Sequence, residues 1–230
     1  MTAIKERILN LTERIKTAAQ SVGRNPEEIS LVGVSKRKPA KTVARGIDQG
    51  IEILGENYIQ EAMDKIDAIG RTRARWHFIG HLQSNKAKYA VRYFDLIHTV
   101  DKFKLAKEID KQAGKIGKVQ EILMQINISE EASKSGVSTE EALLLAQEIG
   151  QLDNVALTGL MCMPPFFDDP EQARPYFKAL AGIKKAIQEK KIPGIAMDHL
   201  SMGMSHDFTV AVEEGATLVR VGTAIFGARD

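Results

Sequence analysis

Apolar residues recur at Ile4, Ile8, Leu11, Ile15 and Ala18. That spacing returns to one face of a helix and predicts an amphipathic helix over 2–22. Asn25-Pro26-Glu27-Glu28 follows: a capping residue, then proline, then acids, the chemistry of a helix start and here enough for one short turn. After it the rhythm changes, and short β-rich runs alternate with longer helical stretches. The pattern predicts strands over 30–36, 51–55, 75–79, 96–100, 119–126, 155–161, 199–201 and 218–222. Helices are expected over 40–49, 59–68, 85–91, 102–114, 139–152, 170–189 and 208–214. Strand then helix, repeated, implies parallel strands joined by right-handed crossovers. About eight strands favour an α/β fold closed into a single (β/α)8 TIM barrel, with an extra N-terminal helix. An open doubly wound sheet is the alternative. No Pro/Gly/Ser-rich linker or composition shift divides the chain, so residues 1–230 are expected to form one domain.

Composition narrows the class. With 43% hydrophobic and 27% charged residues, disordered, collagenous and low-complexity chains are excluded. The 32 basic and 30 acidic residues nearly cancel, so no field of one sign would draw nucleic acid or a membrane surface. No apolar run approaches the ~18 residues of a membrane span. The N-terminus is charged and amphipathic, unlike a secretory signal. Cys162 is the single cysteine, which allows no intrachain disulfide. A cytoplasmic protein is expected.

The first residue that suggests chemistry is Lys36. In Leu31-Val32-Gly33-Val34-Ser35-Lys36, period two puts Val32, Val34 and Lys36 on one face. In a barrel that face points inward, with Lys36 at the C-terminal rim where barrel active sites are built. One reading is a surface lysine snorkelling to water. The other is an amine that forms a Schiff base, its pKa lowered by burial and by the cationic neighbours Arg37 and Lys38.

The second feature is Val219-Arg220-Val221-Gly222-Thr223-Ala224-Ile225-Phe226-Gly227. Arg220 shares a face with Leu218 and Gly222, and an inward guanidinium is costly unless something pairs it. An ordinary carboxylate is the bland partner. Gly222 and Thr223 end the strand and open a short helix, where free N–H groups and a hydroxyl can meet an anion. Barrels often place a phosphate site in the loops after strands 7 and 8. Leu200-Ser201-Met202-Gly203-Met204-Ser205-His206-Asp207 supplies the other loop. Ser201 and Gly203 are its phosphate candidates, whereas Ser205 and Asp207 read as caps of the following helix.

Other features carry less. His77 and His81 have the i, i+4 spacing of a helical zinc site but lack its glutamate and sit at a strand-to-loop junction, so no metal is expected. Cys162, between Met161 and Met163, reads as a buried structural thiol. The doublets Glu130-Glu131 and Asp168-Asp169 read as solvated loop charges. There is no Walker loop and no dinucleotide-type glycine pattern.

An inward lysine on the first strand, a phosphate cup after the last two and an inward arginine coincide. Together the chain resembles the YggS (PROSC) family of pyridoxal 5'-phosphate (PLP) homeostasis proteins. The resemblance rests on Val34-Ser35-Lys36-Arg37-Lys38-Pro39, Gly55-Glu56-Asn57-Tyr58, Trp76-His77-Phe78-Ile79-Gly80, Leu82-Gln83-Ser84-Asn85-Lys86, Ser133-Lys134-Ser135-Gly136 and Gly159-Leu160-Met161, besides the two C-terminal segments above. It implies a barrel of the alanine-racemase N-terminal-domain type (PLP fold type III), a monomer, holding PLP as a Schiff base on Lys36. By the same likeness Ser201, Gly222 and Thr223 would hold the phosphate and Met202 and Gly203 would line the loop. Arg220 would face the pyridine nitrogen, and Asn57 would sit near the ring. The family is taken to buffer or deliver PLP, with apo PLP-dependent enzymes as recipients and rim lysines such as Lys38 and Lys134 as relay candidates.

An arginine cannot give the pyridine nitrogen its proton, which disfavours transamination. Racemases of the resembling fold add a second base from a C-terminal domain, and this sequence ends at Asp230. A PLP holder in intracellular PLP homeostasis, without clear turnover, is therefore expected. The alternatives are a PLP-dependent, racemase-like enzyme and a cofactor-free Schiff-base aldolase acting on sugar phosphates.

Overall fold

The N-terminal periodicity and the alternation after it both take shape in a computed structural model, which describes residues 3–131 and 135–227. Helix α1 (Ala3–Ser21) buries Ile8, Leu11, Ile15 and Ala18, the stripe its spacing announces. A 3-10 turn (Pro26–Glu28) follows, with the Asn25 side chain accepting the Glu27 N–H at 3.1 Å. Strands and helices then alternate: β1 (Ser30–Val34), α2 (Ala40–Asp48), β2 (Ile53–Glu56), α3 (Ile59–Ile69), β3 (Arg75–Phe78), α4 (Ala87–Tyr93), β4 (Leu96–Val100) and α5 (Phe103–Gly114). The second half runs β5 (Gln120–Ile126), α6 (Ala142–Ile149), β6 (Val155–Cys162), α7 (Arg174–Glu189), β7 (Ile195–Met204), α8 (Phe208–Glu213), β8 (Leu218–Val221) and α9 (Thr223–Phe226).

The strands are parallel and closed in chain order, β8 pairing back on β1 through Leu31↔Val219 and Val32↔Arg220. Closure decides for the barrel over the open sheet. Helix α1 lies against α8, where the Arg14 guanidinium stands 4.5 Å from the Phe208 ring centre. Two hydrophobic cores result. Inside the barrel Val32, Ile53, Leu96, Leu123, Met161 and Leu218 pack together, each from a different strand. The larger core fills the space between sheet and helices. No helix among the described residues is long and apolar enough to cross a membrane.

Several boundaries differ from expectation, three of them for reasons the local contacts and sequence give. Strand β1 stops at Val34, so Lys36 stands in a turn and not on the strand. The Ser35 N–H still donates to the Gly55 carbonyl at 3.1 Å, but Lys65 takes the Ser35 carbonyl and Glu61 takes the Arg37 N–H. Side chains thus draw the backbone off the ladder. Strand β7 begins at Ile195, four residues early, because its first half carries the polar pair Asp198 and His199, which hides the apolar pattern. Helix α6 begins at Ala142: Ser138 and Glu141 bond reciprocally (3.0 and 3.3 Å), delaying the regular turns. Thr2, Ser133, Lys134 and Asp230, all used in the sequence reading, lie outside the described residues.

Candidate functional site

The barrel mouth brings distant segments together. Strand β1 lies between β2 and β8, so the turn after β1, Asn57 just past β2, and Gly222 and Thr223 just past β8 share one end of the barrel with the loop after β7. That C-terminal end is where barrels carry ligands.

Lys36 is half-buried in its turn. The turn is tied down by an ionic cluster that the sequence reading missed. Buried Lys65, on α3, donates to the Ser35 carbonyl (2.6 Å), Glu56 Oε1 (2.7 Å) and Glu61 Oε1 (2.6 Å). Ser35 Oγ donates to the same Glu56 oxygen at 2.6 Å. Glu56 is fully buried, and desolvation raises its pKa above the ordinary value, against the pull of Lys65 and Ser35; its Oε2 has no hydrogen-bond partner. Arg37, bonded through its N–H to Glu61, takes a left-handed φ of 59°. That conformation is uncommon for a side-chain-bearing residue and needs such support.

Arg220 points inward from β8 and is buried. The bland carboxylate is not its partner: Nη1 donates to Ser201 Oγ at 2.5 Å and Nη2 to the Cys162 carbonyl at 2.8 Å. The Asp207 charge is felt at Arg220, but its Oδ1 accepts the Met204 N–H at 2.6 Å. Burial lowers the Arg220 pKa from its usual value. The result is a buried cation held by neutral oxygens.

Ser201 therefore spends its hydroxyl inside the barrel. Its Oγ lies 2.5 Å from Arg220 and 2.9 Å from His98 Nδ1, whose Nε2 lies 3.0 Å from His77 Nδ1. The Met202 side chain turns the other way, into the core under the helices, leaving only backbone for the site. Met202 and Gly203, expected in the loop, lie on the end of β7; Gly203 has φ +87°, and a Cβ there would lie 2.5 Å from Ala211 Cβ, so the end of the strand packs tightly against α8. Thr223 is exposed, with Oγ1 3.5 Å from Ser205 Oγ. Ser205 thus faces the turn after β8. Asp207 stands at the cap position of α8 without a side-chain cap bond, its carboxylate closing the 204–207 turn instead. Asn57 Oδ1 is buried with no hydrogen-bond partner.

Cys162 is buried and desolvation pushes its thiol up to about 12. His77 lies inside the barrel while His81 is exposed, and no His/Cys/Asp/Glu group among the described residues has a metal-binding arrangement. Asp169 caps the 3-10 turn Pro170–Ala173. Of the functional groups overlooked in the sequence, His98 left one signal: it shares strand parity with inward Leu96. Glu56, Glu61 and Lys65 left a weaker one, charges within an otherwise apolar helix face and strand.

A family model described as alanine racemase, N-terminal domain, matches residues 9–230. The pyridoxal phosphate homeostasis protein of Aquifex aeolicus is 42% identical over 97% of both chains. The structure of PipY from Synechococcus elongatus PCC7942 with PLP bound superposes with a TM-score of 0.84 at 33% identity, over 97% of this chain and all of that one. An alanine racemase of Clostridium difficile 630 shares the fold at 18% identity and a TM-score of 0.69, over 95% of this chain and 56% of that one.

Proposed function

Because the chain belongs to the alanine racemase N-terminal-domain family, and within it to the pyridoxal phosphate homeostasis proteins, we propose that it binds PLP at the barrel mouth and serves PLP homeostasis by holding and releasing the cofactor. The observation that carries this reading is the buried Arg220 guanidinium, supported only by neutral oxygens at the mouth where Lys36, Asn57 and Thr223 converge. A buried cation without a carboxylate favours a ligand that brings acceptors or negative charge. When bound, PLP supplies an aldehyde that condenses with a primary amine, a pyridine-nitrogen acceptor and a phosphate.

In this reading Lys36 supplies the amine. Its turn is anchored from below, so the backbone that presents the amine is held before any ligand arrives. Arg220 donates toward the pyridine nitrogen and remains protonated. Asn57 offers its unpartnered oxygen to the ring side. Gly222, Thr223 and the backbone at Gly203 hold the phosphate: the first N–H groups of a helix lack intrahelical partners, and the two glycines let the backbone pack closely there, since a Cβ would press on Val34 at Gly222 and on Ala211 at Gly203. Ser205, beside Thr223, adds a second hydroxyl. Ser201 and Met202 serve it through position, the first through Arg220 and the second through its backbone.

In this reading Arg220 would disfavour transamination. Arginine is donor-only and does not release its proton at working pH. The ring nitrogen facing Arg220 therefore gains a hydrogen bond and no proton, which weakens the electron withdrawal that PLP enzymes exploit.

The test is an absorption spectrum of the purified protein with added PLP, then borohydride reduction and peptide mapping. A yellow species fixed on Lys36 is expected. A protein that stays colourless would overturn the reading and point to sugar phosphates as ligands. Incubation of the holo-protein with L- and D-alanine should leave chirality unchanged; robust interconversion would establish the racemase alternative. Thr223→Ala should weaken PLP retention roughly 10- to 100-fold, the worth of one hydrogen bond to a charged group. An unchanged dissociation constant in equilibrium dialysis would remove Thr223 from the cup.

A further inference from the structure

Beside the apolar cluster inside this barrel, a polar line crosses from β8 to β3. Arg220 Nη1 donates to Ser201 Oγ (2.5 Å), Ser201 Oγ meets His98 Nδ1 (2.9 Å), and His98 Nε2 meets His77 Nδ1 (3.0 Å). We propose that His98, acting through Ser201 and backed by His77, is the positioning residue that fixes the Arg220 guanidinium at the barrel mouth. This deepens the PLP-binding reading and rests on it only for what Arg220 faces.

The hydrogen-bond arithmetic supports a holding role. A guanidinium has donors only, so the Ser201 oxygen must accept from it. A lone hydroxyl would still rotate; His98 Nδ1 on its other side fixes its direction. Burial keeps both imidazoles neutral, His77 being pushed down to about 3 and His98 well below its usual value. Each ring therefore carries one proton, and the line admits two directions. Either Ser201 donates to His98 and His98 to His77, or His77 donates to His98 and His98 to Ser201. In both, His77 Nε2 is left buried without a partner. Buried polar groups are normally paired, so a line that ends on an orphan is not accounted for by packing. Neutrality matters as well. A carboxylate at Ser201 would neutralise Arg220, whereas a hydroxyl and two neutral rings hold it without adding a countercharge.

Ser201 is the point where two roles can be told apart, since a phosphate contact would act only on phosphate-bearing ligands. Binding of PLP and of pyridoxal, which lacks the phosphate, is measured for wild type, Ser201→Ala, His98→Leu, His98→Asn and Thr223→Ala. Ser201→Ala and His98→Leu are expected to weaken both ligands by the same factor, roughly tenfold for loss of one supporting hydrogen bond to a charged group. They should also shift the absorption maximum of bound PLP. His98→Asn, which keeps a nitrogen near the Nδ1 position, should restore both. Thr223→Ala should weaken PLP alone. If Ser201→Ala weakens PLP but spares pyridoxal, Ser201 is a phosphate ligand and the inference falls; it falls equally if neither ligand responds.

A measurement without ligand separates this inference from the function it extends. In the free protein the two Arg220 Nη resonances should be resolved in wild type, because both ends are held, and should average by rotation in Ser201→Ala. Resonances equally resolved in Ser201→Ala would overturn the positioning role even if the protein bound no PLP. Ser201→Ala deletes one oxygen and keeps the fold, so the test does not depend on how well His98→Leu packs.

Discussion

Lys36→Ala should abolish the borohydride-stable mark of PLP on the protein completely, while leaving a weaker, dialysable association through the phosphate cup and Arg220. The reason is local. The turn that carries Lys36 is fixed by Ser35, Glu56, Glu61 and Lys65. The fold should hardly notice the change, because Lys36 is half-buried at the surface of the mouth and such substitutions stay within about 0.5 kcal/mol. For a chain of this size that is a shift of roughly 1–2 °C in Tm. Mass mapping after reduction gives the answer. A mark retained at wild-type level would place the anchor on another lysine, with Lys38 next in line.

Lys65→Met should be the most destabilising of the changes discussed here. Lys65 is buried and holds two carboxylates and a carbonyl at 2.6–2.7 Å; removing it leaves fully buried Glu56 without its counter-charge. Breaking a buried pair in this way costs about 3–5 kcal/mol. The Tm should fall by roughly 10 °C, given about 2–4 °C per kcal/mol for a chain of this length. The Lys36 turn loses its floor in the same stroke, so PLP retention should fall as well.

The penalty should also depend on pH, with a definite sign. Glu56 is already raised above its ordinary 4.5 by burial, and loss of Lys65 raises it further. A carboxyl that binds its proton more tightly when folded favours the fold most below the unfolded pKa, and that contribution is lost as pH rises through the folded pKa. The gap in Tm between wild type and Lys65→Met should therefore be widest near pH 8 and narrow toward pH 5. Comparing the two proteins at each pH cancels groups such as Asp95. That carboxyl has its pKa lowered although burial opposes the shift, through bonds to Arg71 and the Trp76 N–H. A gap that is equal at both pH values would mean that Glu56 is not the group left stranded.

Much of the fold was legible because it follows from local chemistry. The α1 stripe, the Asn25-Pro26 turn and the alternation of β-rich and helical runs are properties of neighbouring residues, and each appears within a few positions of where the pattern puts it. The inward parity of Arg220 could be read the same way. At β1 a side chain from elsewhere overrides the local preference: Lys65 and Glu61 end the strand early. At β7 the strand's own polar Asp198 and His199 disguise its start.

By itself the sequence determined the repeating unit, the inward arginine, and the lysine, glycines and hydroxyls that a phosphate-bearing aldehyde would need. The tertiary structure alone decided that the strands close on themselves, and closure is what brings His98 of β4 to Ser201 of β7. It also decided that Arg220 rests on a hydroxyl and a carbonyl and not on the carboxylate of the bland reading. Periodicity records which way a side chain points. What waits there depends on strands far away in the chain, and only packing across the barrel supplies the partner.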